Sequence, residues 1–125
     1  MDEKRILLVE DEDNIALALE HLLRRQGFGT CRAATGRDAL RQLADFRPDL
    51  VLLDVMLPDI SGFELCQTVQ EQADRPRIIM MTARGGEVER RKSLAMGADG
   101  FMHKPFATGD LIAEITQVLA GAVHA

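Results

Sequence analysis

Five side chains stand where short apolar runs of this sequence stop. Glu10 and Asp11 follow residues 5–9, Asp54 follows 50–53, Thr82 follows 78–81, and Lys104 follows 99–103. Delivered to one edge of a fold, the three carboxylates repel one another unless a proton, a lysine or a divalent cation intervenes. Oxygen donors with no histidine or cysteine among them suit Mg²⁺. An aspartate is already ionised at neutral pH, so Asp54 needs no general base to act as a nucleophile. A lysine and a hydroxyl beside it would complete the needs of phosphoryl transfer: a nucleophile, positioning, and neutralised charge on the transferred oxygens.

The runs before these residues are the elements that must position them. Residues 5–9 (RILLV), 28–33, 50–53, 78–81 and 99–103 read as strands. Two of them are apolar throughout, as a parallel sheet covered on both faces requires. Apolar residues at helical spacing lie between: Ile15, Leu19, Leu22 and Leu23; Ala39, Leu40 and Leu43; Leu65, Cys66 and Val69; and, last, Leu111, Ile112, Ile115, Val118 and Leu119. Asp13 or Asn14, Thr35 and Ser61 are the expected caps, with Gly27, Pro48 and Pro76 marking ends. Between about 86 and 96 the helical propensity carries only a thin apolar stripe of Val88, Leu94 and Ala95, so that helix is expected to be weakly anchored. Five strand–helix units with right-handed crossovers give a doubly wound α/β sandwich with its ligands at the carboxyl ends of the strands. The runs are too short for an all-helical bundle.

The 125 residues fit one domain, 1–125, with a packed core from about 4 to 119. At 46% apolar and 28% charged, disordered and low-complexity classes are excluded. Fifteen basic residues against 20 acidic ones, a net charge of -5, disfavour direct nucleic-acid binding by this domain. No apolar stretch is long enough to span a bilayer and the acidic start does not resemble a signal peptide, so a cytoplasmic, non-membrane location is expected. Cys31 and Cys66 form no disulfide framework and no metal-ligand spacing.

Four ordered segments, ILLVEDE (6–12), LVLLDVMLPDISG (50–62), IIMMTA (78–83) and GADGFMHKPF (97–106), resemble the receiver domain of two-component response regulators over nearly the whole chain. The resemblance implies a flavodoxin-like sheet of order 2-1-3-4-5 flanked by five helices. It implies that Asp54 accepts a phosphoryl group from a phosphohistidine of a sensor histidine kinase or phosphotransfer protein. Mg²⁺ would be held by Asp11 directly, by Glu10 through water, and by Asp54 and the Met56 carbonyl. Thr82 would bond the new phosphoryl group, Lys104 would pair first with the carboxylate and then with that group, and the Lys104–Pro105 bond would be cis. Phe101 stands at the aromatic switch position of the fifth strand, without the hydroxyl a tyrosine would bring; a plain core phenylalanine is its other reading. The fourth helix, fifth strand and fifth helix are the expected output face, toward a downstream protein, an effector domain or a second copy.

The sequence departs from the family pattern in places. Glu10 replaces a frequent aspartate, Gly85 and Gly86 soften the loop after the fourth strand, and Gly100 stands where aspartate is common. Met56 and Arg84 flank the acceptor, and Met56 has no group to orient a water, so a long-lived phosphoryl group is expected. Taken singly, the acidic run 10–13 is also an ordinary helix start and Asp54 an ordinary strand end. His21 and His124 read as surface residues and His103 as a strand residue. Two rival functions stay open: a pseudo-receiver acting as an interaction module, and a Mg²⁺-dependent phosphatase. The DVM at 54–56 lacks the second carboxylate such phosphatases use. No GxGxxG or GxxxxGK run supports a nucleotide site.

Overall fold

A computed structural model describes residues 3–83 and 86–121; Arg84, Gly85 and His124 lie outside them. Five strands and five helices alternate in chain order. They are β1 (Arg5–Val9), α1 (Asp13–Arg25), β2 (Gly29–Ala33), α2 (Gly36–Phe46), β3 (Leu50–Asp54), α3 (Gly62–Gln70), β4 (Arg77–Thr82), α4 (Glu87–Ala95), β5 (Gly100–His103) and α5 (Thr108–Leu119). The sheet is parallel throughout, in the order β2-β1-β3-β4-β5.

The strand alternation sorts two cores onto the two faces. Leu7, Val9, Val51, Leu53, Ile78 and Met80 face α2 and α3, meeting Ala39, Leu43, Leu65, Cys66 and Val69. Ile6, Leu8, Leu50, Leu52, Ile79 and Met81 face α1 and α5, meeting Ala16, Leu19, Leu23, Leu111 and Ile115. Both faces are covered, which is why β3 is apolar from Leu50 to Leu53 and buried throughout.

Three details differ from the sequence expectation. Neither Asp13 nor Asn14 caps α1: Glu12 holds the N-cap position and its side chain makes no cap bond. Leu40 is exposed, leaving Ala39 and Leu43 as the buried apolar residues of α2. In α4 the expected stripe is not what anchors the helix. Val88 is 74% exposed, and the only buried residue is Ser93, whose Oγ donates to the Glu89 carbonyl at 2.8 Å. Across from α4, the Lys92 ammonium lies 4.4 Å from the centre of the Phe63 ring on α3.

The amino edge of the sheet is fastened by polar bonds. Asp99 accepts from Ile78 N at 2.9 Å and from both terminal nitrogens of Arg75 at 3.0 and 3.1 Å, while its own amide donates to the Ile78 carbonyl. Asp49 accepts from Arg5 N at 2.8 Å, and the Asp49 carbonyl accepts from Arg77 N at 3.0 Å.

Candidate functional site

The opposite, carboxyl edge gathers the acids. β1 and β3 are neighbours, so Glu10 and Asp54, each at the end of its strand, come side by side, and Asp11 follows Glu10. One carboxylate oxygen from each of Glu10, Asp11 and Asp54 lies within 4.8 Å of the others. Glu10 and Asp54 are buried, at 1% and 6% exposure, and Asp11 is open to solvent.

Lys104 reaches into this group from the end of β5. Its ammonium donates to Glu10 Oε1 at 2.5 Å and to Asp54 Oδ2 at 3.2 Å, so it bridges both acids and sits nearer to glutamate than to Asp54. Burial pulls the Lys104 pKa down, but the bonds and charges of Glu10 and Asp54 overcome this and hold it above the ordinary lysine value. Its chain is fixed by its amide, which donates to the Thr82 carbonyl at 2.7 Å, and the Lys104–Pro105 peptide is cis.

The remaining acceptors are aimed by backbone. Glu10 Oε2 accepts from Glu12 N at 3.2 Å, and Asp54 Oδ1 accepts from Met56 N at 3.0 Å. The segment after Asp54 passes against Gly62 so closely that a β-carbon there would stand 2.4 Å from the Asp54 carbonyl and 2.7 Å from Val55 Cα. Only glycine fits, and that contact seats the start of α3 against the end of β3.

Three carboxylates against one ammonium leave an excess of two negative charges, the amount a divalent cation neutralises. The donors are all oxygen, one of the three acids faces solvent, and the set fits a hard cation such as Mg²⁺.

The other expected residues fall around this centre. Thr82 is fully buried at the end of β4, next to β3. Met56 is half exposed, its amide turned to Asp54. Phe101 is half-buried on β5, paired with Met80, and packs on the α2–α3 side; it is not a member of the acidic group. His103 and His21 are exposed.

Two residues escaped the sequence reading. Arg32, near the end of β2, donates from Nε to the Glu10 carbonyl at 2.9 Å and pairs with Asp13 at 2.9 Å, gripping the β1–α1 turn. Asp59 caps α2 from the β3–α3 segment, accepting from Gly36 N at 2.8 Å and Arg37 N at 3.0 Å. Neither has a local pattern, because each acts on chain more than fifteen residues away. A cleft of about 620 Å³ opens beside Lys104, walled by Ile15, Ala18, Leu19, Pro105 and Phe106.

Comparisons with known proteins agree with this geometry. The family profile described as the response regulator receiver domain matches residues 6–116. The transcriptional regulatory protein AfsQ1 of Streptomyces coelicolor is 45% identical over 114 residues, covering 91% of this chain and 50% of that protein. This chain spans about half the length of the curated relatives it matches. Among solved structures, a response regulator receiver domain protein (CheY-like) from Methanospirillum hungatei JF-1 superposes with a TM-score of 0.90 at 30% identity, covering 96% of each chain. The signal receiver domain of a signal transduction histidine kinase from Syntrophus aciditrophicus gives 0.86 at 33% identity, covering 98% of this chain and 94% of that one.

Proposed function

Because this chain belongs to the response regulator receiver domain family, we propose that it takes a phosphoryl group onto Asp54 from a phosphohistidine of a sensor histidine kinase or phosphotransfer protein. The fold and acidic triad are those of a receiver rather than of a classical enzyme. The observation that carries the reading is the buried Asp54 carboxylate held between Lys104 and two further acids.

In the proposed transfer, an Asp54 oxygen forms the new P–O bond as the P–N bond to the donor imidazole breaks, and the departing nitrogen keeps the electron pair. Lys104, already on Asp54 Oδ2, follows the charge onto the phosphoryl oxygens. Thr82, at the neighbouring strand end, bonds one of those oxygens. Mg²⁺, held by Asp11, Asp54 and the Met56 carbonyl with Glu10 acting through water, would neutralise charge on the transferred group.

The apolar cleft beside Lys104 offers a seat for the protein that presents the phosphohistidine. The domain is one receiver unit, acidic overall and unsuited to binding nucleic acid directly. Its output passes through α4, β5 and α5 to a downstream protein, an effector domain of the whole protein or a second copy, with Phe101 following Thr82 inward. No helix among the described residues is long and apolar enough to cross a membrane.

Intact-mass measurement with acetyl phosphate and Mg²⁺ tests the reading. One phosphoryl group gained, dependent on Mg²⁺ and lost in Asp54→Asn, is the expected result. An unmodified wild type would leave an interaction module, and catalytic turnover of small phosphate esters would leave a phosphatase.

A further inference from the structure

The first four amides of a helix find no partner within it, and in α2 three of them are satisfied by two side chains. Thr35 serves one, its Oγ1 accepting from Asp38 N at 3.1 Å, while its carbonyl takes the first bond of the helix ladder, from Ala39 N at 3.0 Å. Asp59 serves two, with Oδ1 on Gly36 N and Oδ2 on Arg37 N, across 23 and 22 residues of sequence. The two caps differ in what they are attached to. Thr35 belongs to the turn before α2, whereas Asp59 belongs to the segment that carries Met56 away from Asp54.

That segment is held at several places. Met56 N is bonded to the acceptor Asp54 at one end, and the Gly62 backbone is wedged against Asp54 and Val55 at the other. Between them Leu57 and Ile60 pack against the α2–α3 core, and the polar hold is at the α2 end: Asp59 bonds to it, and Ile60 lies so near Gly36 that a β-carbon there would stand 2.2 Å from Ile60 Cγ1. Met56 and Asp59 are themselves exposed, so neither is held in place by burial of its own side chain.

We propose that Asp59 is a positioning residue for the phosphoacceptor site: its two bonds to the start of α2 hold residues 55–60 so that the Met56 backbone stays in place beside Asp54. The proposal rests on the metal-dependent phosphoacceptor reading, in which that backbone contributes to the cation site. Asp59 touches neither metal nor phosphoryl group; it acts through Met56.

Comparing Asp59→Ala with Thr35→Ala tests this, because both remove a cap from the same helix and only one releases the segment. Amide hydrogen exchange of residues 55–60 is read without metal. Mg²⁺ affinity is read by titration calorimetry, since the chain has no tryptophan or tyrosine to report binding. Both variants are expected to lower the melting temperature, Thr35→Ala by about 5 °C. Only Asp59→Ala should speed exchange at 55–60 and weaken Mg²⁺ binding, each by about tenfold, while Thr35→Ala leaves both within about twofold. Asp59→Asn, which keeps one acceptor oxygen, should fall between wild type and Asp59→Ala. If the two alanine variants move exchange and affinity alike, or neither moves them, Asp59 is a helix cap and nothing more. A wild type that fails to bind Mg²⁺ overturns the phosphoacceptor reading, and the exchange comparison still decides whether Asp59 holds the segment.

Discussion

Lys104 is the residue on which the acidic edge balances. Glu10 is almost completely buried, and with Lys104 removed its carboxylate would lose the ammonium bonded to it. Breaking a buried pair in this way costs about 3 kcal/mol. Urea unfolding of Lys104→Met at pH 7 in Mg²⁺-free buffer should show a loss of that size, and added Mg²⁺ should recover part of it. The pH dependence has a definite sign. The folded-state pKa of Lys104 is raised above its ordinary 10.5, so the stability it contributes is complete below about 10.5 and is lost as pH rises through the higher folded value. The gap between wild type and variant should therefore be constant through neutral pH and close only in strong alkali. An equal gap at every pH would contradict the pairing. That Lys104, Asp11, Asp54 and Glu10 come together was legible from their place after apolar runs. Their internal arrangement was not: nothing in the spacing tells that Lys104 sits nearer Glu10 than Asp54, since that depends on how three strand ends splay.

Among the elements, α4 stands apart. The other helices put two or more residues into a core, whereas α4 buries Ser93 alone. Glu87 pairs with Arg90 and Arg91 within the helix, which stiffens it without fastening it to the sheet. Lys92 over Phe63 is its side-chain link to α3. Amides of Glu87–Ala95 should exchange faster than those of α1 and α5, and beryllofluoride with Mg²⁺ should alter protection between 87 and 106. Protection of α4 equal to α5 and unchanged by beryllofluoride would exclude it as a moving element. Weak anchoring was readable from the thin stripe, but the stripe itself misled: Val88 points to solvent and a serine takes the inward place. β3 and β4 were read to within a residue because both faces are covered and their interiors are apolar; the residues missed, Asp54, Arg77 and Thr82, are the polar ones at their limits. The start of α1 was misjudged because Glu12 occupies the cap position without making the bond by which caps are recognised.

For the whole molecule, the acids that build the site also set its response to metal. Glu10, Asp11 and Asp54 come from two strands and meet only when the sheet is assembled, so a cation bound there stabilises the folded state by mass action. Mg²⁺ at a hundred times its dissociation constant should add about 2.7 kcal/mol, seen as a higher melting temperature that EDTA reverses and Asp54→Asn diminishes. No shift at saturating Mg²⁺ would mean that the acidic edge holds no cation. The overall α/β order was legible because strand and helix periods alternate cleanly; the long-range contacts of Asp59 and Arg32 were not, since they exist only after strands from distant sequence are side by side. One further consequence concerns the far edge, where Asp99 is bolted to Ile78 and Arg75. With β4 and β5 pinned there, Thr82 and His103 lie four residues along, about 13 Å at strand rise. The two strands thus form a lever on a fixed fulcrum: a tug at the charged tip displaces most whatever rests nearest that tip, and least what rests on the bolted heel.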